Sequence, residues 1–119
     1  MKQKAHVVLI VKLDVDPEVE EEFNRWYDTE HIPMFLKVPG VLSARRAVRS
    51  KAEITGFEIN QEGPKYITIY EYSDAAVMNQ KQYMDVLQTE WAKKLQPHIK
   101  NFSLTLYDLL PKNQKNDQD

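Results

Sequence analysis

The chain has 119 residues, 42% hydrophobic and 29% charged, with a formal net charge of −2 and no cysteine. That length suits one domain with a modest core. The near-neutral balance gives no electrostatic reason to bind nucleic acid or an anionic membrane, and the missing thiols exclude disulfides, thiolate metal sites and cysteine nucleophiles.

Ala5 to Asp14 is predicted to form the first strand. Its longest apolar run, Val7 to Val11, is too short to span a bilayer, and Lys12 and Asp14 interrupt it before any cleavage-like site. No membrane association is therefore expected, and the absence of cysteine fits a cytoplasmic location. Both alternate faces of this strand are mostly apolar, so both need cover. Asp16-Pro17-Glu18 reads as a helix start, with Asp16 as N-cap and Pro17 at the first helical position. Val19, Phe23, Trp26 and Tyr27 then share one buried face. Pro33 disfavours helical geometry at Ile32, so the helix is expected to weaken near His31. Pro39-Gly40 punctuates.

Val41 to Arg49 is predicted as the second strand, with Arg45, Arg46 and Arg49 on a solvated surface. Ser50 to Pro64 is a long connection, and the alternation at Phe57 and Ile59 suggests that the hairpin arms extend into it. Lys65 to Ser73 is the third strand, with Tyr66, Thr68, Tyr70 and Tyr72 on one face. Ser73-Asp74 caps a second helical region. Its Met84, Leu87, Trp91 and Leu95 form an apolar stripe, closed by Pro97. Phe23 and Trp91 are expected between helices and sheet. Phe102 to Leu110 is the fourth strand, and residues 111–119 read as a frayed tail.

This order, β-α-β-β-α-β, is that of an α+β ferredoxin-like domain over residues 1–110: a four-stranded antiparallel sheet with both helices on one face. The other face, carrying apolar residues from the first and fourth strands, is expected to bury itself against a second copy, giving a homodimer.

The candidate site is Trp26-Tyr-Asp-Thr-Glu-His31. On a helix, Asp28 and Tyr27 are both neighbours of His31, three and four residues away. A carboxylate that holds one imidazole nitrogen leaves the other free as a base. Asp28 is thus expected to orient, His31 to take a proton, and Tyr27 to position a phenol or enolate. The competing reading is a structural histidine that bonds the last helix carbonyls. Trp26 is expected in the core and Glu30 in solvent. Tyr70, central in its strand, is the tyrosine expected to line a pocket for an aromatic ligand, against the alternative of a cross-strand ladder. His98, in a loop, is expected to be exposed. No two histidines have metal-motif spacing, so no metal site is expected.

Asn24-Arg-Trp-Tyr-Asp-Thr-Glu-His31-Ile-Pro33, with Val38-Pro-Gly-Val-Leu-Ser-Ala-Arg-Arg46 after it, resembles the EthD-like branch of the dimeric α+β barrel superfamily. The resemblance implies two sheets meeting face to face in a dimer and a pocket in each subunit between sheet and helices. It also suggests His6 as a strand residue turned toward that pocket, against the alternative of a plain strand-end residue. The superfamily includes cofactor-independent monooxygenases, cyclases, isomerases and haem-degrading enzymes. The expectation is a protein for a small hydrophobic or aromatic ligand. It needs no cofactor and uses His31 as acid/base on a phenolic or enolisable substrate. The alternatives are a non-catalytic ligand-binding or accessory protein and a haem-binding protein with a histidine axial ligand.

Overall fold

A computed structural model describes residues 4–113. The chain runs β1 (Val7–Val15), α1 (Glu20–Trp26), a π-helical turn (Tyr27–His31), α2 (Ile32–Phe35), β2 (Val41–Val48), β3 (Tyr66–Tyr72), α3 (Lys81–Val86), α4 (Glu90–Leu95) and β4 (Ile99–Asp108). The sheet has the order β2-β3-β1-β4 with every pair antiparallel. This is the expected ferredoxin-like arrangement, with β1 and β3 central.

Strand alternation sorts the two faces. Val7, Leu9, Val11 and Leu13 of β1 and Tyr70 and Tyr72 of β3 are buried under the helices. Val8 and Ile10 of β1 and Ile67 and Ile69 of β3 lie on the free face and are half-buried. The fourth strand differs from expectation. Its register sets Leu104 opposite Val11 and Leu106 opposite Leu9, so its leucines point to the helix side. Only Tyr107, opposite Val8, adds a large apolar group to the free face. The register of β4 against β1 shifts between Lys12 and Asp14, where Asn101 takes a left-handed φ of 54° and donates from Nδ2 to Asp14 Oδ2 at 2.9 Å. This bulge puts Ile99 and Phe102, three residues apart, on the same face.

The helical stretch does not end at Pro33. It runs through residues 17–35, and the turn before the proline widens, with the Ile32 N–H donating to the Tyr27 carbonyl. Pro33 has no N–H, and its ring crowds the carbonyl four residues back. A π-turn relieves that crowding without breaking the helix. The Asp16 side chain does not cap the helix start. Its carboxylate meets half-buried His98 instead, Nδ1 to Oδ2 at 3.0 Å, and ties the helix start to the start of β4.

The second helical region is two short helices with a break at residues 87–89. Thr89 restarts it by accepting from the Ala92 N–H at 3.0 Å. The break resets the phase, so Tyr83, Val86, Ala92 and Leu95 point inward. Trp91 is consequently only half-buried: it donates from Nε1 to Glu22 at 3.0 Å, with the Arg25 guanidinium 5.8 Å from its ring centre. Phe23 is fully buried, as expected, against the rings of Trp26, Tyr27 and Tyr66.

The hairpin arms stop at Val48 and Tyr66. Residues 50–63 between them are exposed and carry no regular strand. At Gly40 the chain turns from α2 into β2 with φ +89°, and a Cβ there would collide with Val77 Cγ2. Both the backbone angle and the close approach require glycine. Residues 111–113 are exposed and irregular, and the rest of the expected tail, 114–119, lies outside the described residues.

Candidate functional site

Between the helices and the inner sheet face lies a cavity of about 540 Å³. Leu9, Val11 and Leu13 of β1, Tyr70 of β3, and Phe102 and Leu104 of β4 form its floor. Trp26, Tyr27, His31 and Phe35 close it from the first helical stretch, and Met78, Tyr83, Met84 and Leu87 from the second. Among the described residues no Asp, Glu, Lys or Arg lines it; Gln96 adds one polar side chain.

His31 is 7% exposed and sits in an aromatic cage. Its ring centre is 4.3 Å from that of Trp26, 4.9 Å from Tyr27 and 4.8 Å from Phe35. Nδ1 is buried and has no hydrogen-bond partner. Burial, aided by the nearby Arg46 cation, pushes its pKa down to about 3, so the imidazole is neutral near pH 7. The Tyr70 hydroxyl is the other buried side-chain group without a close hydrogen-bond partner among the described residues; the Tyr27 hydroxyl stands near it, and Tyr70 lines the same cavity. Burial raises its pKa well above the ordinary value, so it keeps its proton.

Asp28 does not orient His31. Its carboxylate is exposed and pairs with Arg46 Nη1 at 3.1 Å. The π-turn explains the miss. In a wider turn, residues four and five apart come to lie above one another, whereas residues three apart are carried round the axis. Tyr27 and Trp26 therefore stack on His31, and Asp28 swings outward to β2.

Tyr27 lines the cavity with its ring and accepts from Thr68 Oγ1 at 2.8 Å. Burial raises its pKa. Arg46 is no solvated strand residue. Its guanidinium lies 4.5 Å over the Tyr27 ring and donates from Nη2 to Asn24 at 2.6 Å. Glu30 is not free in solvent either, because it accepts from Trp26 Nε1 at 2.9 Å and Thr89 Oγ1 at 2.8 Å. Trp26 belongs to both core and cavity wall. His6 is exposed and does not line the cavity. Alternation puts it on the side of Val8 and Ile10, away from the helices.

The sequence reading missed Phe35, Tyr83, Phe102 and Leu104 as lining residues. The four-residue step from His31 to Phe35 was a signal for the first of these; for Phe102 and Leu104 only the register of β4 with β1 shows that their side faces the cavity. Away from the lining, Asp16, Glu18 and His98 bring ligand-type atoms within 4.8 Å of one another. Asp16 and His98 are already paired there as the tie between helix start and β4. Among the described residues no helix is long and apolar enough to cross a membrane.

Fold and cavity together define a ferredoxin-like α+β protein with an apolar chamber between sheet and helices. The chain belongs to the family described as a domain of unknown function, DUF4286, which matches residues 6–109. Solved structures that share its fold include the following three. One is a monooxygenase from the gene ActVA-Orf6 of Streptomyces coelicolor in complex with nanaomycin D, at 13% identity over 94% of each chain, TM-score 0.63. Another is a MhuD mutant with two manganese protoporphyrin IX molecules per active site, at 13% identity over 92% of this chain and 99% of that one, TM-score 0.61. The third is a mutant of SnoaB, a cofactor-independent oxygenase from Streptomyces nogalater, at 13% identity over 94% of this chain and all of that one, TM-score 0.54. At such identities the likeness is one of fold, and it is the fold that the EthD-like resemblance implied. Comparison with curated proteins gives no match.

Proposed function

We propose that the cavity binds a small, uncharged, largely apolar molecule with one hydroxyl or carbonyl group, and that His31 exchanges a proton with that group. One observation carries this reading. Among the described residues, the two buried side-chain atoms left without partners, His31 Nδ1 and Tyr70 Oη, belong to residues that line the same largely apolar cavity. A buried polar group without a partner costs about 1–3 kcal/mol, and a ligand oxygen that hydrogen-bonds to these groups would relieve that cost.

The chemistry follows from the protonation states. A neutral imidazole accepts the proton of a phenol or enol: the O–H bond breaks, an N–H bond forms, and the electron pair stays on oxygen. Tyr70, still protonated, donates to the oxyanion. The cage disfavours a lone imidazolium, so the transfer depends on the imidazolium and oxyanion forming as a pair, whose mutual attraction in a low-dielectric site acts against that penalty. Asp28 has no part in this, and the aromatic rings orient the imidazole instead. A haem fits these residues poorly, since no cationic side chain lines the cavity to hold its propionates.

Titration with 2-naphthol, followed by calorimetry and by absorbance, tests the reading. Binding is expected to weaken about tenfold in Tyr70→Phe and more in His31→Leu, the size of one lost hydrogen bond of roughly 1.4 kcal/mol. Equal affinity in wild type and both variants overturns it. A naphtholate band on binding at pH 7 indicates proton transfer. Binding without that band supports the alternative, a non-catalytic ligand-binding protein.

We also infer that the free sheet face pairs with a second copy. Val8, Ile10, Ile67, Ile69 and Tyr107 form an apolar centre there, with Lys12, Arg45 and Glu71 among them. Sedimentation equilibrium is expected to give twice the 14.0 kDa chain mass. A stable monomer at micromolar concentration rules the pairing out.

A further inference from the structure

The cavity is chemically graded from end to end. His31 and Tyr70, at its closed end, are buried and carry the two unpartnered polar atoms. Its floor crosses three strands: Tyr70 on β3 stands opposite Leu9 on β1, which stands opposite Leu106 on β4. With strands about 4.8 Å apart, the edge strand lies roughly 10 Å from Tyr70. There the cavity is lined by Phe102 and Leu104, 56% and 49% exposed; Met84 of α3, 48% exposed, also lines it. Leu106 continues the strip beyond the lining and is also exposed. The His31 and Tyr70 side is thus buried and carries the unpartnered polar atoms, and the β4 side is exposed, uncharged and apolar apart from the Gln96 amide.

We propose that the ligand is a hydroxylated ring with a hydrocarbon tail, an alkylphenol in chemical class. It enters ring first. Its oxygen lies at His31 and Tyr70, and its tail leaves over Leu104 and Leu106 at the β4 edge. This rests on the reading above, that the cavity takes an uncharged ligand through those two groups. The strip is continuous with the cavity floor and lies on the helix side. The face proposed to meet a second copy is the opposite one. A tail is therefore the occupant the geometry favours. A carboxylate head is disfavoured, because no cation lines the chamber to replace its water.

Calorimetric titration of the full chain with 4-n-alkylphenols, from methyl to octyl, tests this at pH 7. Affinity is expected to rise about fourfold per methylene and to level off once the tail passes Leu106. In Leu104→Lys, and separately in Leu106→Gln, the gain per methylene is expected to fall below twofold. 4-Octylbenzoate is expected to bind at least a hundredfold more weakly than 4-octylphenol. Circular dichroism confirms that each variant folds, and the half-exposed position of both leucines makes that the expected result. If 4-methylphenol binds but affinity is flat with tail length, this inference fails and the reading of the head site stands. If no phenol binds, both fail. If Leu104→Lys changes the assembly state but leaves the methylene gain intact, the strip is an interface between copies and the inference is overturned.

Discussion

Between pH 6.5 and about 3 the protein is expected to lose stability through His31 at about 1.4 kcal/mol per pH unit, and His31→Leu is expected to remove that slope. In the fold the imidazole is buried among Trp26, Tyr27 and Phe35 and stays neutral until about pH 3. In the unfolded chain it protonates near 6.5. Between those values the unfolded state binds more protons, so falling pH favours it. Above pH 6.5 both states are neutral and the slope vanishes.

The carboxylates act in a lower window. Asp14 is held below its usual range by the Lys65 backbone N–H, Glu20 by the Lys65 ammonium and Glu22 by the Lys94 ammonium. Their contributions are present above their ordinary values of 3.8 to 4.5 and are lost below them. Urea denaturation at pH 7.5, 6.0 and 5.0 therefore isolates His31. At pH 7.5 the leucine variant is expected to match wild type or to gain up to about 1 kcal/mol, because it removes a buried atom with no partner. Parallel pH curves for the two proteins would falsify the buried, neutral histidine.

Phe23→Ala is expected to cost about 3–5 kcal/mol in chemical denaturation at neutral pH. Phe23 is fully buried, and its ring centre lies 5.9 Å from Trp26, 5.3 Å from Tyr27 and 5.9 Å from Tyr66. It joins the helix to β3 and supports Tyr27, a wall of the cavity. Truncation leaves a void that three large rings fill poorly, which places the cost high in the usual range. Trp91→Ala should cost distinctly less, since Trp91 is half-buried and held at its edge by Glu22. A loss below roughly 1 kcal/mol for Phe23→Ala means that this helix face is not the one against the sheet.

Local periodicity determined much of this protein. The alternation in Ala5–Asp14 and Tyr66–Tyr72 sets which strand residues can share a face. The spacing of Val19, Phe23, Trp26 and Tyr27 sets the buried side of the helix. The element order restricts the sheet to few topologies, and the step from Tyr27 to His31 places the histidine on that buried side. These are short-range consequences of backbone geometry.

What only the tertiary structure decided depends on partners distant in sequence. Asp28 was a plausible companion for His31 until Arg46, eighteen residues on, claimed its carboxylate. That pairing required both the π-turn and the register of β2 against β3. His98 and Asp16 meet across 82 residues of chain, which turned an expected cap into a hydrogen-bonded tie. The inward side of β4 follows from its register with β1, which the pattern of β4 alone does not reveal. The chamber itself is assembled from both helical stretches and from β1, β3 and β4, elements far apart in the chain. Its size is set by how far one layer overlaps another, a long-range property that residue spacing does not encode.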